Sequence, residues 1–185
     1  MEAINSPHFQ MYWQPNPDTS LSDNLEYISI TVMFSSKVFQ LDSYTWRGTV
    51  RHEFTHAHDY WDLADYLAVT EMDDIYDYQF YEVFRLWSEY RARKAGASNV
   101  FKQEYAHFST PEIFNICNIS FEQICHNLIS ASTAYDAMQD FGRYSALKEL
   151  YSDKMPSIQI ANEKNSLKKA LSILWSFCSR VRNLI

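Results

Sequence analysis

Glycine is scarce in this chain, with three in 185 residues. Tight turns often need glycine where the backbone takes a positive φ. The shortage counts against a turn-rich all-β fold and favours long helices. Cysteine is equally rare, and Cys117, Cys125 and Cys178 follow neither a CxxC nor a zinc-finger spacing. An odd count without pattern argues against a disulfide framework or a cysteine-held metal. Their apolar surroundings suit reduced core thiols. No run of about eighteen apolar residues exists, which excludes a membrane-crossing helix. The N-terminus carries no apolar leader, so the cytoplasm is the expected compartment. Cations are outnumbered, 16 Lys and Arg against 23 Asp and Glu, for a net charge of −7. Phosphate binding needs clustered Lys and Arg, so nucleic acid is not expected as the main partner, nor is a membrane.

What the chain has in quantity is apolar and aromatic side chains, 46% and 16% of residues, enough to exclude disorder and fill one core. The expected fold is α+β, a mostly helical single domain with a small sheet. Residues 1–22, with Pro7, Pro15 and Pro17, read as an extended N-terminal arm, and 23–185 as one domain. Tyr27–Phe34 alternates and is rich in β-branched and aromatic residues, the pattern of a strand. After Gly48, the stretch Thr49–Ala68 lacks Pro and Gly and repeats Phe54, Ala57, Trp61, Ala64 and Ala68 at helical spacing. A second helix is expected over Phe80–Ala95. Thr110-Pro111-Glu112 reads as an N-cap with Pro at the first helical position. Ser120 and Gln123 suggest a capping box, with Ile119 and Ile124 as its hydrophobic staple. Helices then follow over about 121–137 and 140–152, with a break at Met155-Pro156. The last helix carries the stripe Leu167, Ala170, Leu171, Leu174, Cys178 and Val181.

Residues 52–56 read His-Glu-Phe-Thr-His, an HExxH string. Residues four apart on a helix lie one turn apart on one face, so His52 and His56 can aim at one ion. Glu53 sits about 100° round the helix, beside the metal rather than on it. From there it can take a proton from a metal-activated water and hand it on, as a general base and then acid. Catalytic zinc takes three protein ligands and leaves one position open. The third ligand must therefore come from elsewhere.

Three residues compete for that place. Asp62 follows His56 by six residues, but an unbroken helix turns it about 80° away from His52. His58 falls on roughly the opposite side of the helix. Glu89 lies in the second helix, whose residues Phe80, Val83, Phe84, Trp87 and Tyr90 form an apolar face with Glu89 roughly opposite. Its surface neighbours Ser88, Ala92 and Gly96 are small and allow another helix close, as ligand bonds of about 2 Å require. Glu89 is the preferred ligand. Its other plain role is an ion pair with Arg93, four residues on.

A strand, then an HExxH helix, then Glu89-Tyr90-Arg91-Ala92 on a later helix resembles the gluzincin zinc metallopeptidases. The string His52–Ala57 looks like the start of the thermolysin active-site helix. The ExxA setting is closer to minimal gluzincins and ImmA/IrrE-like peptidases. The resemblance covers about 45 residues, and it departs from thermolysin in placing Glu89 33 residues after His56. It implies a zincin-like fold, Zn2+ as cofactor, His52, His56 and Glu89 as ligands, Glu53 as base, and a peptide or protein substrate.

Around this set, Asp59 or a backbone carbonyl could orient a ligand histidine, and Arg93 could steady Glu89. A group to polarise the carbonyl is also expected. Among many Tyr and His the sequence singles out none, Tyr105 and His107 being two candidates in the loop after the second helix. The acidic run Asp59, Asp62, Asp65, Glu71, Asp73, Asp74 and Asp77 reads as a solvated face, with metal capture or a basic substrate as its other meanings. Two further classes stand beside the enzyme: a regulatory protein that keeps a zincin-like fold without cleaving, and a helical interaction protein with an accidental HExxH.

Overall fold

The computed structural model describes residues 9–15, 28–69, 71–151 and 165–173. Strand β1 (Phe9–Pro15) pairs antiparallel with β2 (Ile28–Phe34), Phe9 opposite Phe34 and Pro15 opposite Ile28. The small sheet suggested by the sequence amounts to no more than this ribbon, and the described residues hold no further strand. The rest is mainly helical, as scarce glycine implies. Helix α1 spans Ser43–Leu67, the short α2 Met72–Tyr76, α3 Tyr81–Glu104, α4 Thr110–Ser130 and α5 Ala134–Tyr151. Residues 165–173 are also helical, and Ala170 packs into the core. None of these helices is long and apolar enough to cross a membrane. Residues 1–8, 16–27, 152–164 and 174–185 lie outside the described residues, and with them most of the arm, the 155–156 break and Cys178.

Helix boundaries follow their caps. Helix α1 begins before Gly48, because the Asp42 carboxylate accepts from the backbone N–H groups of Tyr44 and Thr45. It runs past Asp59 without a break and stops at Ala68, whose φ of 53° is left-handed. Helix α4 starts one residue earlier than the Thr110 reading, since Ser109 donates to Glu112 through both its N–H and its hydroxyl. The Ser120 capping box does not form. Inside an unbroken helix the backbone N–H groups are already paired, so such a box has no orphan donor to satisfy. Ser120 instead meets the Tyr105 hydroxyl at 2.8 Å, and Ile119 is exposed. The true break falls at 131–133, where Thr133 and Asp136 cap α5 reciprocally at 3.1 and 3.2 Å.

Two apolar clusters frame the molecule. One joins α4, α5 and the end of α3 around Tyr105, Phe121, Leu128 and Leu147, and the buried thiols Cys117 and Cys125 sit in it. The other joins α1 to α2 around Tyr60, Leu63, Ala64 and Ile75, with Ile30, Val32 and Phe34 of β2 against it. Helix α3 lies between α1 and α5 and touches both. Its apolar face is not the buried one: Phe80, Val83 and Trp87 are exposed, whereas Leu86, Ser88, Glu89, Ala92 and Gly96 are buried.

All three glycines stand inside helices at these contacts, none of them at a positive φ. A Cβ on Gly96 would lie 2.7 Å from the Gly48 carbonyl oxygen and 3.2 Å from the His52 Cβ. Backbone cannot give way as a flexible side chain can, so Gly96→Ala must part α1 from α3. Overpacking costs about 1–3 kcal/mol, and the better helix propensity of alanine returns up to about 1 kcal/mol. Thermal unfolding should begin a few degrees lower, at about 2–4 °C per kcal/mol. An unchanged or raised Tm would mean that the helices do not meet at this point.

Candidate metal centre

The close approach of α1 and α3 brings four functional side chains together. His52 is 8% exposed, Glu53 5% and Glu89 2%, so these polar groups are shielded from water. The Nε2 atoms of His52 and His56 lie 3.1 Å apart. Glu89 places its oxygens 3.9 Å from the first and 3.3 Å from the second. Glu53 reaches to 4.0 Å from His52 Nε2. His52, Glu53 and His56 offer ligand atoms within 4.8 Å of one another. Both glutamates thus border the histidine pair, and their chemistry separates them.

Protonation sets them apart. Burial pushes the Glu53 carboxyl up to about 8, helped by the negative charge of Glu89. Burial acts on Glu89 in the same direction. There it is outweighed by the hydrogen bond from His56 and the charges of His52, His56 and Arg93, which hold it at about 2. His52 is lowered to about 3, chiefly by burial and then by the charge of His56. Around neutral pH the pocket therefore holds an ionised Glu89, a neutral His52 and a protonated Glu53.

A hydrogen-bonded chain fixes the second histidine. The Ser88 hydroxyl donates to Asp59 Oδ2 at 2.9 Å, so at 2.8 Å its oxygen is left to accept from His56 Nδ1–H. Asp59 is fully buried and also receives Arg91 at 2.6 Å, whose guanidinium stacks on Trp87. Burial raises the Asp59 pKa, opposed by the Ser88 hydrogen bond and the Arg91 charge. His56 Nε2 faces His52 Nε2 and Glu89, and in the Nδ1–H form that Ser88 can accept it would offer a lone pair to a cation there. His52 Nδ1 makes no hydrogen bond of good geometry, although the Ala92 carbonyl lies near enough to favour a proton on the ring.

Two imidazole nitrogens and a carboxylate therefore converge, an arrangement that a bound cation would satisfy. A tetrahedral ion with bonds of about 2.0–2.1 Å separates its ligands by roughly 3.3 Å. The two Nε2 atoms are 3.1 Å apart and Glu89 Oε2 is 3.3 Å from that of His56, both close to that value, while the 3.9 Å approach to His52 is made by Glu89 Oε1. The donor set of two imidazoles and one carboxylate suits zinc. Comparison with known proteins finds no match to the chain, whether among family models, curated proteins or solved structures.

The other candidates are elsewhere or changed. Asp62 is exposed and pairs with exposed His58 at 3.1 Å, away from the cluster. Asp59 reaches His56 through Ser88 rather than directly, a link that sequence spacing did not reveal. Arg93 meets Glu89 at 3.3 Å, as expected. Tyr105 is buried against Ser120 in the core, and His107 is exposed beside it. The tyrosine at the site is Tyr135 of α5, whose hydroxyl donates to Glu89 Oε2 at 2.9 Å. It lies 46 residues from Glu89 in sequence, with no motif around it to single it out.

The buried groups give the metal-free protein a defined pH profile. His52, with a folded pKa below its ordinary 6.5, adds stability above pH 6.5 that is lost as pH falls towards 3. Glu89 behaves likewise below its ordinary 4.5. Glu53 is raised, so its contribution is present below 4.5 and is lost as pH rises through about 8. Between 4.5 and 6.5 the His52 and Glu53 slopes oppose each other. The Tm of chelator-treated protein should hold a plateau there and fall on both sides. A Tm that climbs steadily from pH 6.5 to 8.5 would contradict the buried, protonated Glu53.

Proposed function

We propose that this protein is a zinc-dependent peptidase of gluzincin type in a mainly helical, zincin-like domain, working in the cytoplasm. One observation carries the reading: the Nε2 atoms of His52 and His56 and the Glu89 carboxylate converge within 3.9 Å beside a buried, protonatable Glu53. His52, His56 and Glu89 would hold the metal. Bound zinc would supply Lewis acidity, polarising water and the carbonyl of the bond to be cut. Glu53 takes the proton from water and delivers it to the leaving amine. Its pKa of about 8 in the metal-free pocket is lowered towards neutrality by a nearby cation, which suits both directions of transfer. Tyr135 and Arg93 hold the Glu89 carboxylate from two sides. The cluster opens on a cavity of about 1010 Å³ between α1, α3, α4 and α5, with room for several residues of peptide.

The test is metal analysis of purified protein followed by peptide hydrolysis with and without chelator. One zinc per chain and chelator-sensitive cleavage are expected. Absence of stoichiometric zinc would end the enzyme reading. Zinc without cleavage of any peptide in a mixed library would favour the non-cleaving alternative. One observation speaks for that alternative: β1 already occupies one edge of β2, the strand that an extended substrate would lengthen.

The Asp59–Ser88–His56 chain gives a sharper expectation. Groups that orient a metal-bound histidine are commonly worth about 10–100-fold in affinity. Ser88→Ala should weaken zinc binding by that much, read by competition with a chromophoric chelator. Unchanged affinity would show that His56 needs no such partner.

A further inference from the structure

The charged residues of the cavity differ from those of the chain as a whole. The chain carries −7, yet apart from Glu53 and Glu89 every Asp, Glu, Lys or Arg lining this cavity is an arginine: Arg85, Arg93 and Arg143. None of the acidic run from Asp59 to Asp77 lines it. Each arginine is paired with a carboxylate, Arg85 with Glu82 at 2.9 Å, Arg93 with Glu89 at 3.3 Å and Arg143 with Asp140 at 3.0 Å, and neither Glu82 nor Asp140 lines the cavity. The basic substrate that the acidic run suggested has no support at the site.

Two of the arginines flank the contact of α3 with α5. Gly142 is pressed so close to α3 that a Cβ there would lie 2.7 Å from the Tyr90 carbonyl oxygen and 2.9 Å from the Arg93 Cβ. Arg143 follows directly and lines the same cavity as Arg93. Neither guanidinium is spent. Arg143 gives Nη1 to Asp140 at 3.0 Å, and Arg93 gives Nη2 to Glu89 at 3.3 Å, while Arg93 Nε is buried with no hydrogen-bond partner among the described residues. A guanidinium has five N–H donors and grips a carboxylate through two of them. On α5, Arg143 stands in line with Tyr135 and Gln139 at steps of four, and all three line the cavity.

We propose that Arg143, with Arg93 beside it, receives a carboxylate of the substrate one or two residues from the bond that is cut. The proposal deepens the peptidase reading and rests on it for the nature of the substrate. The distance follows from the helix: Arg93 is one turn beyond Glu89, about 5.4 Å, and an extended peptide advances about 3.3–3.6 Å per residue. That carboxylate is either the C-terminus of a peptide or an acidic side chain. Both offer the same chemistry to a guanidinium.

Binding of three tripeptides to the zinc-loaded Glu53→Gln protein tests this without turnover: Ala-Ala-Gln as free acid, Ala-Ala-Gln amide and Ala-Ala-Glu amide. One of the two carboxylate-bearing peptides should bind at least about tenfold tighter than Ala-Ala-Gln amide, and which one does so identifies the source of the carboxylate. Arg143→Gln should remove the preference, and Arg143→Lys, which keeps the charge without the fork, should retain part of it. Equal binding of all three, including no binding at millimolar peptide, overturns the proposal, as does a preference that survives Arg143→Gln. If Arg143→Gln fails to fold, the Arg143→Lys result decides: an undiminished preference overturns the proposal. Failure of the peptidase reading looks different. A carboxylate preference with no hydrolysis by wild type keeps the arginine site and removes the enzyme, and hydrolysis without preference does the reverse.

Discussion

Glu53→Gln protein should keep one zinc per chain and hydrolyse peptide about 10²–10⁴-fold more slowly than wild type, the usual worth of a positioned acid–base group. The substitution is close to isosteric. Near neutral pH it exchanges a protonated carboxyl, held at about 8 by burial and by Glu89, for a neutral amide of the same shape. The fold should tolerate it, and the alkaline limb of the metal-free stability profile should disappear with the titrating group. The amide can neither accept a proton from water nor return one to an amine. Zinc retained, turnover lost and the alkaline limb flattened form one signature. Turnover within about threefold of wild type would remove Glu53 from the chemistry.

Much of the site was legible because helical geometry is local. HExxH puts His52 and His56 on one face by spacing alone, and their Nε2 atoms come within 3.1 Å of each other there. Glu89 was found less directly. Its small neighbours Ser88, Ala92 and Gly96 signalled a close partner, whereas hydrophobic patterning alone would have turned Glu89 to solvent and buried Phe80, Val83 and Trp87. The pattern misled because α3 buries a shared polar centre against α1, and leaves part of its aromatic face outside. Tyr135 and Arg143 were not legible. From α5, which packs on α3 at Gly142, Tyr135 meets Glu89 and Arg143 lines the cavity, and nothing in their local sequence marks them. The same applies to Ser88 as the link between Asp59 and His56: three residues on two helices, joined only once the helices touch.

Scarcity of glycine proved informative in a second way. The residue was expected to matter for turns it could not supply. All three copies serve close helix contacts instead, Gly48 against Gly96 and Gly142 against Tyr90 and Arg93. These contacts decide how closely His52 and Glu89 approach and where Arg143 stands on α5. The turns are made by other means, such as the left-handed Ala68 and the Asp42, Ser109 and Thr133 caps.

Glu89→Ala is the counterpart of Glu53→Gln and should lose zinc outright, with affinity falling by well over the roughly 100-fold ascribed to outer-sphere partners. Two glutamates border the histidine pair at similar distances, 4.0 Å for Glu53 and 3.9 and 3.3 Å for Glu89, so distance alone does not choose the ligand. Charge does. An ion gains most from the carboxylate that is already ionised, and Glu89 is held ionised at about 2 by His56, His52 and Arg93, while Glu53 must first give up its proton. Removal of Glu89 strands Arg93 and the Tyr135 hydroxyl and leaves two imidazoles with only Glu53 beside them, which must give up its proton before it can anchor a metal. Competition binding on the two variants side by side decides the assignment. Zinc lost from Glu89→Ala and kept by Glu53→Gln supports Glu89 as ligand and Glu53 as base. The opposite pattern would make Glu53 the ligand, leave the proposed mechanism without its base, and turn the reading towards a metal-binding protein that does not cleave.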